Sequence, residues 1–175
     1  ADDGDTSSVP QGQTEAQNVP ALLEGGNGGS ASNTTVNIQI SSSLQTNESD
    51  GYIVEPNATV KVLTITKEGS YKLTQADSLN ELWRVEIAAP EGTVNLTLSG
   101  VSLDVSSTGD GSAWTKGIPA LAITGGCETV ITLENANTLK SGALCAGLEN
   151  GTHKLTIKGD GTLNANGGTG GAGVG

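Results

Sequence analysis

The chain has no phenylalanine and no methionine, and only two tryptophans, two tyrosines and one histidine in 175 residues. A core built on large aromatic side chains is thereby excluded, as is any multi-histidine metal site or histidine-based catalytic triad. His153 follows "NGT" and reads as a solvated turn residue. Basic side chains are scarce too: eight Lys plus Arg stand against nineteen Asp plus Glu, a formal net charge of -11. Nucleic acid and anionic membrane surfaces both call for a basic face, which this chain lacks. No stretch approaches the roughly 20 apolar residues of a membrane span. The opening "ADDGDTSS" carries no signal peptide and reads as a mature terminus left by signal cleavage, or as any other chain boundary. P-loop, dinucleotide and Cys-rich zinc patterns are missing. An acidic chain of this kind suits calcium and a secreted or cell-surface setting.

What the chain has in quantity is glycine, 26 residues of it, with Thr, Val, Ile, Leu and Asn filling the body. That composition favours strands joined by many turns, with little helix. Residues 1–33 hold Pro, Gly, Ser, Gln and acid with only "VPALL" apolar, too little to offset the entropy of ordering, and are expected to form a flexible or partner-docked N-terminal arm.

From residue 34 the sequence repeats. Four segments open with an aliphatic-Thr-aliphatic triplet: Leu63-Thr64-Ile65, Leu96-Thr97-Leu98, Ile131-Thr132-Leu133 and Leu155-Thr156-Ile157. A second short strand is marked by Tyr71, Leu103, Leu139 and Leu163, and a third by "VEI" (85–87), "LAI" (121–123) and "AGL" (146–148). The last series continues into "AGV" (172–174), and a weaker earlier set lies in "VNIQI" (36–40), Leu44 and "YIV" (52–54). The expectation is an all-β chain folded as a right-handed parallel β-helix, a β-solenoid with three short strands per coil, covering 34–175 and ending in mid-coil behind the extended arm. Leu63, Leu96, Ile131 and Leu155 would form one inner column and the triplet threonines an exposed one. A β-sandwich with coincidental triplets is the alternative. In the repeat register Cys127 and Cys145 fall about 20 Å apart at strand rise, which points to buried free thiols rather than a bridge.

Lyases and hydrolases on such scaffolds work with Asp clusters and a basic residue on one face. Arg84 is the sole arginine and no carboxylates group with it at matching positions, so an enzyme is not expected. Three aspartates are candidate calcium ligands: Asp104, facing outward, and Asp110 and Asp160, each in a Gly-Asp-Gly turn that is also an ordinary turn sequence. Trp83 and Trp114 sit in the long insertions, where an exposed indole could stack on a sugar face. Equally, both rings could lie down to cover the scaffold.

The phrases "NTLKSGALCAGL", "LTIKGDGTL" and "GGAGVG" resemble the carbohydrate-binding-domain family of secreted bacterial β-helix proteins, over roughly 60–175 and most clearly after 119. The resemblance implies a parallel β-helix at the cell surface, calcium binding and affinity for polysaccharide, acidic pectin-like chains included. It brings no catalytic signature. The reading is therefore a noncatalytic carbohydrate-binding or adhesion module, with calcium as a bridge to acidic sugars. Its rival is a structural subunit that self-assembles head to tail into an extracellular fibre through an open end. A third expectation is that the natural protein continues with more coils.

Overall fold

The structure, a computed structural model, describes residues 34–175 except 57, 113 and 114. The expected arm at 1–33 and the candidate ligand Trp114 therefore lie outside the described residues. Thirteen strands, and no helix among the described residues, follow in order: β1 (Thr35–Ile40), β2 (Tyr52–Glu55), β3 (Val60–Ile65), β4 (Gly69–Gln75), β5 (Leu82–Ile87), β6 (Thr93–Ser99), β7 (Ser102–Asp104), β8 (Leu121–Ile123), β9 (Glu128–Glu134), β10 (Ala136–Lys140), β11 (Leu148–Glu149), β12 (Leu155–Gly159) and β13 (Thr162–Asn166). They make three sheets, ordered β1-β4-β6-β9-β12, β13-β10-β7 and β11-β8-β5-β3-β2.

These segments become strands because β-branched and aliphatic residues alternate with polar ones, so each buries one face. In β6, Val94, Leu96 and Leu98 are almost wholly buried, while Asn95 points to solvent. The inward residues of all three sheets meet in one hydrophobic cluster that includes Ile38, Leu63, Leu103, Ile131 and Leu148. Each fully buried Leu or Ile contributes about 1.5–3 kcal/mol by leaving water. Turns close where backbone freedom is required. At Gly159, φ is +106°, and a Cβ there would collide with the Leu133 carbonyl of the neighbouring strand.

The expected right-handed parallel β-helix, or β-solenoid, is corrected by the pairing. The sheets are open, unequal in size at five, three and five strands, and one is mixed, because β2 runs antiparallel to β3. "YIV" thus folds back as a hairpin arm rather than completing a first coil. The four triplets do not share a column either. Leu63 lies in β3 and pairs with Val85 in the mixed sheet, whereas Leu96 pairs with Ile131 in the wholly parallel one. Leu155 pairs with Thr129, and it is Ile157 that meets Ile131. The observed column runs Val36, Tyr71, Leu96, Ile131, Ile157. The triplet threonines are not uniformly exposed: Thr64 is buried. In the third series Val174 does meet Leu148 in a parallel bridge.

Cys127 and Cys145 are both buried and free. The Cys145 thiol donates to the Gly117 carbonyl at 3.1 Å, and burial pushes its pKa up, so it is a packed, unreactive thiol.

Candidate functional site

The outward face of the three-stranded sheet is a ladder of hydrogen-bonding side chains. Parallel register sets Ser102, Thr138 and Asn164 in one row and Asp104, Lys140 and Asn166 in the next. Neighbours in a row are about 4.8 Å apart, the strand spacing. The inward residues between them, Leu103 and Leu139, are buried and hold the face flat. Near the start of β10, Asn137 is 1% exposed and stitches successive strands together. Its Oδ1 accepts from the Val101 amide at 3.0 Å, and its Nδ2 donates to the carbonyls of Glu134 at 3.0 Å and Thr162 at 3.2 Å.

Within the ladder, Lys140 Nζ donates to Asp104 Oδ2 at 3.1 Å. The other oxygen of Asp104 accepts from the Ser106 hydroxyl at 2.5 Å and the Ser106 amide at 3.1 Å. The Ser106 hydroxyl, then its amide and Lys140, hold the Asp104 carboxyl below its usual range against a smaller opposing effect of burial. Beyond Lys140 a cleft of about 280 Å³ is lined by Ser106, Asp110, Lys140, Asn166 and Thr169. Asp110 caps its own loop by accepting from the Ser112 amide at 2.8 Å, which lowers its pKa.

On the other flank of the ladder a cleft of about 340 Å³ is lined by Gln75, Asp77, Ser78, Glu81, Trp83 and Asp104, among others. Trp83 is 2% exposed, so its ring offers no open platform. It takes the covering role that the sequence left open. The Lys61 ammonium sits 5.4 Å from the centre of its ring and pairs with Glu81 Oε1 at 3.0 Å. Lys61 is registered opposite Trp83 and two residues before Leu63, on the core-facing phase of its strand. Sequence reasoning missed it. The available signal was a lysine in the inward phase of "VKVLTI".

Two of the expected calcium ligands, Asp104 and Asp110, therefore flank the same ladder, but in different clefts. Asp160 stands apart, exposed in the β12–β13 turn beside Glu134 and Asn135 in a cleft of about 690 Å³. Among the described residues no three His, Cys, Asp or Glu side chains come together as a metal-holding group. No family model, curated protein or solved structure matches the chain.

Proposed function

We propose that the chain is a noncatalytic, secreted or cell-surface module that binds polysaccharide along the ladder face of β7, β10 and β13. The observation that supports this reading is the pair of registered polar rows, Ser102–Thr138–Asn164 and Asp104–Lys140–Asn166, on a strand framework with a cleft at each flank. Hydroxyl, amide, ammonium and carboxylate groups at fixed spacing supply both donors and acceptors, as a chain of sugar hydroxyls requires. Calcium enters as a bridge between Asp104 or Asp110 and an acidic glycan. Retardation of the purified protein in native gels containing neutral or acidic polysaccharides, with and without chelator, tests both parts. Retardation by at least one glycan is expected, and mobility unchanged by all of them contradicts the proposal.

A second reading, self-association into a fibre, is favoured by one observation. Ile157 on edge strand β12 is 39% exposed and Val174 is 47% exposed, beside unpaired strand edges that another chain could join. Sedimentation as a monomer across a concentration series contradicts it.

A further inference from the structure

Polar atoms that are both buried and unpartnered are uncommon in folded proteins, and each calls for a physical account. Among the described residues there are four, and three of them fall within four consecutive positions: Glu81 Oε2, Trp83 Nε1 and Arg84 Nε. Glu81 and Trp83 line the cleft of about 340 Å³ beside the ladder. Its volume is roughly tenfold the ~30 Å³ that one water occupies, and it falls within the roughly 300–1,000 Å³ typical of ligand pockets.

We propose that this cleft is a subsite for one uncharged sugar residue at the edge of the ladder, an inference that rests on the polysaccharide reading above and sharpens it. Trp83 Nε1 is a donor without an acceptor, and Glu81 Oε2 is an acceptor without a donor. A hydroxyl group serves both needs, since it accepts and donates at once. The remaining wall adds the acceptors Asp77 and Asp104, the amide of Gln75 and the hydroxyls of Ser78 and Ser102. Gln75 Oε1 is already engaged by the Ser102 amide at 2.8 Å, which leaves its NH2 group to face a ligand. Charge decides the class of sugar. Three carboxylates line the cleft, and of these Glu81 and Asp104 are paired with Lys61 and Lys140. Asp77, exposed at the mouth, has no ion-pair partner among the described residues. A uronate would meet uncompensated negative charge there, whereas a neutral ring would not.

The two orphaned atoms are sealed from solvent as the protein stands, so occupancy requires the segment at 76–81 to shift and the Glu81 side chain, 31% exposed, to turn. Binding therefore perturbs the surroundings of Trp83. Leu79, which packs against the core from this segment, forms the apolar part of the wall that moves, while Leu82 is fixed in β5 opposite Val60.

The test uses the full chain, with a Trp114→Phe variant for the emission measurement alone, in which Trp83 is the sole indole. It is titrated with neutral tetrasaccharides of glucan, xylan and mannan type and with a tetragalacturonate, by calorimetry and by Trp emission. At least one neutral tetrasaccharide is expected to bind and shift the emission, with tetragalacturonate at least tenfold weaker. Trp83→Phe keeps the packed ring and removes the N–H, and Asp77→Ala alters only an exposed side chain; each is expected to weaken neutral binding about tenfold. Tetragalacturonate binding as tightly as the neutral sugars overturns the inference. So does neutral binding left unchanged by both variants, or a silent Trp83, which would mean that the orphaned atoms hold water only. Those results leave the ladder proposal standing if the polysaccharide gels still retard the protein; loss of retardation in every gel sinks both.

Discussion

The column Val36–Tyr71–Leu96–Ile131–Ile157 and the column that carries Lys61 and Trp83 obey the same rule, parallel strands in register, yet they bury opposite chemistry. In the first, Leu96 and Ile131 are at most 1% exposed and nothing polar intrudes apart from the Tyr71 hydroxyl, which donates to the Lys67 carbonyl at 3.0 Å. In the second, an ammonium lies beside a buried indole and pairs with the Glu81 carboxylate just before the strand, and atoms of the last two lack partners. The scaffold's register is thus indifferent to what its columns contain. Stability is held by the apolar columns, and the polar corner leaves buried polar atoms without partners, which costs stability.

Substitutions can break or sharpen that contrast. The largest effect is expected from Leu96→Ala, which empties a site between Tyr71 and Ile131 and should destabilise by about 2–5 kcal/mol in urea unfolding. A cost below about 1 kcal/mol would mean that this column does not carry the fold. Asn137→Ala comes next, at about 1–3 kcal/mol, because it strips partners from the buried Val101 amide and from two partly buried carbonyls. Asn137 is the satisfied counterpart of the orphaned corner, so a neutral result would erase the distinction drawn between them.

At the corner itself, Glu81→Ala alone should cost about 1–3 kcal/mol by leaving the Lys61 ammonium, 15% exposed, without its carboxylate. The double change Lys61→Met with Glu81→Leu should recover that loss, since apolar groups of similar volume replace a mostly buried pair at no net cost or with a gain. Strict additivity of the two single costs in a double-mutant cycle would show that the charges are not coupled.

The smallest effect belongs to the exposed pair Asp104–Lys140, at about 0–1 kcal/mol. The folded pKa of Asp104 is depressed, so its contribution is present above the unfolded carboxylate pKa of about 4 and is lost as pH falls through the lower folded value. Asp104→Asn should remove that contribution at neutral pH, an offset of at most about 1 kcal/mol, and flatten the acid limb of the stability–pH curve, so that variant and parent converge below the folded pKa. An offset that persists unchanged through the acid limb would contradict the assignment.

The contrast also shows how much was legible in the sequence. Alternation located the strands, and the third series placed Val174 opposite Leu148. Alternation is blind, however, to a shift of two residues, which returns every side chain to the same face. That is why Leu155 was expected opposite Ile131, where Ile157 stands. It is equally blind to which sheet a triplet joins, so Leu63-Thr64-Ile65 was assigned to the column of its look-alikes rather than to the mixed sheet. Asp104 and Asp110 were nominated from local properties, residue type for both and outward phase for Asp104, and each lines one of the two clefts beside the ladder. The burial of Trp83 was not local, since it depends on β3, which carries Lys61, pairing alongside β5. The ladder was visible in "SLD", "NTLK" and "TLNAN" only as polar alternation, and became a surface once β7, β10 and β13 were paired.

The most direct test of the account is the ladder face itself. A triple variant, Lys140→Ala, Asn164→Ala and Asn166→Ala, alters exposed side chains and should leave the unfolding midpoint within a few degrees of the parent. Its retardation in the polysaccharide gel that best slows the parent is predicted to be abolished. Retardation equal to that of the parent, in a variant shown to be folded, would contradict the assignment of glycan binding to this face.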